Sequence, residues 1–238
     1  MRFLDLTLAT PADNLALDEA LLLEAEAGRG GEVLRVWEWP HAAAVLGSGC
    51  RLAEDVDESA CASDGVPVLR RSSGGGTVLL GGGCLLYSLV LNYGRSGALG
   101  EIRPSYCFIL ERVGAALGGP EAGVGQAGIS DLAVGGRKFS GNAQQRKRRH
   151  LLHHGTLLYD FDLARVGRYL RPPPRQPAYR AGRAHADFLL NLPLPAGELK
   201  RRLRAAWQAD EEGAARPEGL VRQLVQDKYA TPQWARRR

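Results

Sequence analysis

Lysine is scarce in this chain. It occurs only at positions 138, 147, 200 and 228 of 238 residues. Cysteine is sparse too, at 50, 61, 84 and 107. No two of these form a C-x-x-C pair, which excludes zinc-ribbon and thioredoxin-type readings. A chain of this length can bury a core without disulfides, so reduced thiols and a cytoplasmic location are expected. No G-x-x-x-x-G-K-[ST] run is present, which excludes a P-loop, and no G-x-S-x-G, which excludes the hydrolase elbow. The N-terminus carries Asp5 and Asp13 and no long apolar run, so a signal peptide is not expected. Residues 72–94 contain no charge at all. Two glycine triplets inside that stretch argue against a membrane helix and for a buried hairpin.

What is present suits a globular protein. Hydrophobic residues are 45% and charged residues 24%, and the length fits one large domain over residues 1–238. The formal charge of +5 and a pI near 9.2 come almost wholly from arginine. Two readings stand: an arginine-rich codon usage, or an anionic partner such as a phosphate ligand or an acidic protein.

Periodicity predicts strands at residues 1–9, 33–39, 42–46 and 66–71, with residues 77–80 and 84–92 as the arms of a hairpin. Helices are predicted at residues 15–25 with Asp13 as N-cap, and at 56–62, 102–117, 162–170, 197–209 and 219–229. Gly135-Gly136 reads as a two-residue hairpin turn between strands at 131–134 and 137–140, followed by a strand at 150–159. The proline-rich stretch 172–177 reads as a loop within one domain. Glycine turns between sequential strands imply a largely antiparallel sheet with helices outside it.

Two segments carry chemistry. Arg70-Arg71-Ser72-Ser73-Gly74-Gly75-Gly76 follows a strand. Its glycines let backbone N–H groups approach an oxyanion, and Thr77 follows them. Strand alternation sends Arg70 and Arg71 to opposite faces, so one of them faces the pocket. Lys138 lies in Gly136-Arg137-Lys138-Phe139-Ser140-Gly141. There its ammonium can neutralise a carbonyl oxygen and a phosphate as charge develops. Asp131 is a lone carboxylate beside that strand. It suits either Mg²⁺ held with phosphate oxygens or ordinary turn chemistry. His153 and His154 fall on opposite strand faces, against a zinc site; His154 reads as a pocket-edge or core histidine. Residues 146–149 form a basic hairpin tip, solvated or facing an acidic partner. Gly123-x-Gly125-x-x-Gly128 lacks the strand–turn–helix context of a dinucleotide site. Cys84, in an apolar run, reads as buried rather than nucleophilic.

Together, Asn14-Leu-Ala-Leu-Asp-Glu19, the Arg70–Gly76 run, Ser130-Asp-Leu-Ala-Val134, Gly136-Arg-Lys-Phe-Ser-Gly-Asn-Ala-Gln144 and His153-His-Gly-Thr-Leu-Leu158 resemble the lipoate–protein ligase A family of the biotin/lipoate ligase superfamily. The resemblance implies an α+β fold: a mixed, largely antiparallel sheet flanked by helices, related to the catalytic domains of biotin ligases and class II tRNA synthetases. It implies that Lys138 contacts the acyl carbonyl and phosphate of a lipoyl-adenylate. It implies a lipoyl and adenylate pocket lined by Arg70, Ser72, Gly74, Gly75, Gly76, Thr77, Asp131, Ser140, Gly141, His154, Gly155 and Thr156.

It further implies lipoate as substrate, with ATP and Mg²⁺ or preformed lipoyl-AMP. The acceptors would be lipoyl-domain proteins, namely the E2 of a 2-oxoacid dehydrogenase or the glycine cleavage H protein. No nucleic acid or membrane partner is implied. Many ligases of the family continue into a small accessory domain, which is not expected here, so a separate accessory protein is an expectation. Ser130-Asp131 stands where the family often has Asn-Asp, and Gly83-Cys84 where it often has Gly-Asn. Octanoyltransferase relatives carry a nucleophilic cysteine upstream of the lysine motif, and residues 118–138 contain none. An octanoyl or lipoyl transferase using Cys84 or another thiol, and a non-catalytic binder, are the alternatives.

Overall fold

A computed structural model describes residues 1–213 and 216–238. Eleven strands and nine α-helices occur along the described residues. The strands are β1 (Arg2–Asp5), β2 (Val33–Glu38), β3 (Ala43–Leu46), β4 (Val68–Arg70), β5 (Val78–Leu80), β6 (Cys84–Asn92), β7 (Val124–Ala127), β8 (Asp131–Val134), β9 (Arg137–Arg146), β10 (His150–Leu158) and β11 (Glu211–Glu212). The helices are α1 (Pro11–Glu26), α2 (Leu52–Asp55), α3 (Glu58–Ser63), α4 (Ile102–Ala116), α5 (Val166–Tyr169), α6 (His185–Phe188), α7 (Ala196–Trp207), α8 (Glu218–Leu224) and α9 (Pro232–Ala235).

Eight strands form one mixed sheet in the order β11-β1-β2-β6-β10-β9-β8-β7. Only the β1 pairings are parallel; the other five are antiparallel. The architecture is α+β, as the resemblance implied. The second sheet, β4-β3-β5, has three strands. This corrects the hairpin expected of residues 77–80 and 84–92. Residues 78–80 pair with β3, whereas β6 pairs with β2 and β10. Gly83 takes φ +80, and a Cβ there would collide with the backbone of Asp160. The glycine turn therefore passes the chain from one sheet to the other instead of folding it back.

The charge-free stretch is explained by β6, which is buried on both faces. Leu85, Leu89 and Leu91 pack with Ile109, Leu110 and Val113 of α4 and Leu199, Leu203 and Trp207 of α7. Leu86 and Val90 pack on the other side with Leu15, Leu22 and the three-stranded sheet. At the start of α1 the cap is Thr10, not Asp13. The Thr10 hydroxyl accepts the Asp13 N–H, while the Asp13 carboxylate accepts the Thr10 N–H, a reciprocal capping box. Gly135 and Gly136 take φ +56 and +73, the left-handed pair that a two-residue hairpin turn requires. No helix among the described residues is long and apolar enough to cross a membrane.

His153 sits on the α4 face of β10, fully buried, with its ring against Tyr106. Burial first, and then the neighbouring His154, push its pKa down to about 3. The unfolded chain takes up a proton on this histidine below about pH 6.5, and the native state does not. A depressed histidine costs stability as pH falls through that window and nothing above it. We expect His153 to remove about 1.4 kcal/mol of stability per pH unit below that point, so about 2 kcal/mol by roughly pH 5. Urea unfolding of the wild type and His153→Gln at about pH 7.5 and about pH 5 measures this. Equal pH dependence in the two proteins would refute the assignment.

Candidate active site

The glycine loop is wrapped around a buried cation. β4 ends at Arg70, and the Arg71 N–H bonds Leu46 O, which fixes the exit of the loop. The Arg71 guanidinium donates to Gly74 O at 2.6 Å, Gly76 O at 2.8 Å, Val45 O at 3.2 Å and Ser73 Oγ at 3.0 Å. None of these acceptors is a carboxylate. Burial without a carboxylate partner pushes the Arg71 pKa down to about 10. Gly75 needs its φ of +80, and a Cβ there would lie 3.0 Å from Arg71 Nη2. With two loop carbonyls turned onto Arg71, the N–H groups of Gly74, Gly75 and Gly76 have no acceptor among the described residues. Amides without acceptors beside a guanidinium without a carboxylate leave the loop with net positive potential.

Lys138 enters from the opposite wall. The β8–β9 hairpin pairs it with Ala133 just after a register shift. Its Nζ lies 2.8 Å from Asp131 Oδ1, and Tyr179 Oη donates to Asp131 Oδ2 at 2.7 Å. A Cβ on Gly141 would come within 2.7 Å of the ammonium, so glycine leaves the lysine its channel.

A buried polar chain supports the floor. Ser73 Oγ lies 2.5 Å from His154 Nε2, and His154 Nδ1 lies 3.4 Å from Asp18 Oδ2. Asp18 Oδ1 meets Arg35 Nη1 at 2.5 Å, and Arg35 also donates to Asn14 Oδ1. Burial pushes the Asp18 carboxyl up, but Arg35 and His154 outweigh it and hold the carboxyl below its usual range.

Two cavities meet at Lys138. One is a slot of about 120 Å³ with an apolar lining that includes Leu15, Trp37, Val45, Leu80, Leu86 and Ala143. The other is a cleft of about 580 Å³ with Arg171, Arg175, Arg180 and His185 on its walls. Gly76, Thr77, Asp131, Lys138, Gly141 and Thr156 border both. Arg180 is buried, and its Nη2 has no hydrogen-bond partner; nor has His185 Nε2.

Of the residues expected from sequence, Lys138, Gly75, Gly76, Thr77, Asp131, Gly141, His154, Gly155 and Thr156 come together around the slot, and Ser140 borders the cleft alone. Three do not. Arg70 points away and donates to the carbonyls of Gly47, Cys50, Trp234 and Ala235. Ser72 also points away and bonds Gln145 Oε1. Gly74 lines neither cavity and spends its carbonyl on Arg71. The other member of each pair faces inward: Arg71 lines the slot and Ser73 bonds His154, which lines it. Asp18, Tyr179 and Arg180 escaped the sequence reading as site residues. Asp18 was recoverable, because it lies one helical turn after Asn14 on the same face of α1.

Both Asp131 oxygens already accept protein donors, and no three His, Cys, Asp or Glu side chains cluster for a metal among the described residues. No cysteine lines either cavity. Cys84 is buried and its pKa is pushed up to about 12, and burial with Asp55 nearby also raises Cys50.

Residues 10–191 match the family model of the lipoyl protein ligase A/B catalytic domain. Octanoyltransferase LipM of Carboxydothermus hydrogenoformans is 31% identical, over 98% of this chain and 97% of its own. A bi-partite lipoate protein ligase of Thermoplasma acidophilum, studied with its E2 lipoyl domain, shares the fold at TM-score 0.82 and 22% identity, over 99% of this chain and 95% of that one. A lipoate-protein ligase A bound with ATP shares it at TM-score 0.82 and 22% identity, over 99% and 98%. With the glycine loop, Lys138 and His154 all inside the matched span, this chain is an enzyme of the lipoyl protein ligase A/B catalytic domain family.

Proposed function

We propose that this chain moves a lipoyl group from lipoyl-adenylate onto the side-chain amine of a lysine in a lipoyl-domain protein. The observation that carries this reading is the position of Lys138 at the seam between an apolar slot and a basic cleft. An acyl-adenylate has those two halves, an aliphatic chain and an anionic nucleotide, with the reacting carbon between them.

The acceptor amine attacks the acyl carbon. The C–N bond forms as the bond from that carbon to the AMP oxygen breaks, AMP leaves as an anion, and the ammonium proton passes to solvent. Lys138 supplies the cation where negative charge grows on the carbonyl oxygen and the departing phosphate. Arg71 and the free N–H groups of the glycine loop add fixed positive potential without reorganising. Asp131 and Tyr179 hold the lysine in place. ATP as the source of the adenylate is supported by the unpartnered Nη2 donor of Arg180 in the cleft and by the ATP-bound ligase of the same fold. Similarity to a ligase studied with its E2 lipoyl domain supports that acceptor class, and its bi-partite nature supports a separate accessory protein in activation.

A second reading is octanoyl transfer from a carrier protein, favoured by the name of the Carboxydothermus relative. A thiol-dependent route needs a reactive cysteine in the pocket, and none lines it. We therefore expect replacement of Cys61, Cys84 and Cys107 by alanine and of Cys50 by serine, which keeps a donor for Gly75 O, to leave lipoyl transfer within a few-fold of wild type. Mass spectrometry of a lipoyl domain given this variant, with lipoyl-adenylate in one arm and octanoyl-carrier protein in the other, decides the point. Transfer lost with the cysteines would favour the second reading.

Lys138→Ala is expected to cost about 2.7–4 kcal/mol in transition-state stabilisation while the fold persists, the scale for removing one charge-stabilising donor. Single-turnover transfer from synthetic lipoyl-adenylate measures this. A rate within about tenfold of wild type, roughly 1.4 kcal/mol, would sink the assignment. Gly75→Val should abolish binding of a non-hydrolysable lipoyl-adenylate analogue, because a β-branched residue resists positive φ and its Cβ meets Arg71. Calorimetry showing unchanged affinity in the folded variant would reduce the loop to an ordinary turn.

A further inference from the structure

Two of the family-like segments face two ways. In α1, Asp18 turns to His154, while the next residue, Glu19, turns to the C-terminal segment. At the end of β4 and just after it, Arg71 turns to the slot and Ser73 to His154, while Arg70 and Ser72 turn away from it. The outward set makes one connected contact. Arg70 donates to Ala235 O at 2.9 Å and to Trp234 O at 3.2 Å, and Trp234 Nε1 returns a bond to Arg70 O at 2.7 Å. Glu19 accepts from Lys228 Nζ at 2.6 Å, Tyr229 Oη at 2.7 Å and Gln145 Nε2 at 3.1 Å. A π-helical turn over Val225–Tyr229 lets the adjacent Lys228 and Tyr229 reach one carboxylate.

This contact is costly to open. Arg70 is fully buried and its guanidinium has only carbonyl partners, half of them in the C-terminal segment. Withdrawing the segment would strand a buried cation and a buried carboxylate. The contact also has a short route to the slot. The remaining Arg70 bonds hold Gly47 O and Cys50 O, and Cys50 Sγ donates to Gly75 O at 3.3 Å. Gly47 lies so close that a Cβ on it would collide with Gly75 O. On the other side, Ser72 and Glu19 share Gln145.

We propose that the segment from Lys228 to Ala235 is a brace for the glycine loop, with Arg70 and Glu19 as the positioning residues through which it sets the loop for the acyl-adenylate. The ligand rests on the reading under Proposed function; the brace rests on the contacts alone. Neither Arg70 nor Glu19 touches the slot, so their effect on binding passes through the loop backbone.

The test uses two gentle variants of the full chain. Trp234→Phe deletes the bond to Arg70 O and keeps a ring beneath Lys228, which now lies 4.4 Å above it. Glu19→Gln keeps the shape and removes the charge. Circular dichroism establishes that each is folded. Calorimetry with the non-hydrolysable lipoyl-adenylate analogue should show affinity weakened by about tenfold in both, a coupling of ordinary size. Hydrogen–deuterium exchange without ligand should quicken at the amide of Ser48, which bonds Ser73 O and belongs to neither substituted residue nor its hydrogen-bonded peptide. Unchanged affinity in both folded variants overturns the proposal. If the wild type itself does not bind the analogue, the adenylate reading fails and exchange alone decides: quickening at Ser48 upholds the brace, and quickening that does not reach Ser48 refutes it.

Discussion

The buried ion pair between Arg35 and Asp18 is the contact on which both fold and site depend. Its side chains are 0% and 3% exposed, and the charges meet at 2.5 Å. Removing one partner of such a pair costs about 3–5 kcal/mol, because the other is left buried and uncompensated. Arg35 spends its remaining donors on Asn14 and on Leu6 O, so one guanidinium joins β2, the end of β1 and the first turns of α1. The second oxygen of Asp18 faces His154, and His154 faces Ser73. The helix that closes the core thus also holds the floor of the slot.

Charge is distributed unevenly around that pair. Arg35 is neutralised by Asp18, whereas Arg71 and Arg180 are buried with no carboxylate partner. A buried guanidinium without a counter-ion weakens the ligand-free state and favours any anion that can reach it. One such cation borders the slot and the other the cleft. Lys138 between them is different: it already has Asp131, so its charge is held in position and not stored.

Local rules carried much of the sequence reading. The capping region before α1, the left-handed glycine pair between β8 and β9, and the apolar face of α7 follow from neighbours within a few residues, and each lies within a few residues of its expected place. The β5–β6 hairpin was misread because a glycine triplet shows that the chain turns but not which strand it pairs with next. Pairing of residues 78–80 with β3 is a long-range choice, made by burial against Val45 and Ala44. The phase of the Arg70–Ser73 run was hidden for a related reason. Alternation assigns opposite faces, but only the packing of the C-terminal segment against one face reveals which is inward.

The amino-acid sequence by itself determined the residue types the site needs: flexible glycines after a strand, a lysine between small residues, and acidic and histidine partners at periodic positions. Those are local requirements, since positive φ and side-chain reach are properties of single residues and their neighbours. Tertiary structure alone decided which arginine is neutralised, which faces the slot, and that an apolar slot and a basic cleft meet at Lys138. Burial and charge compensation are properties of surroundings, and here those surroundings come from segments far apart in the chain.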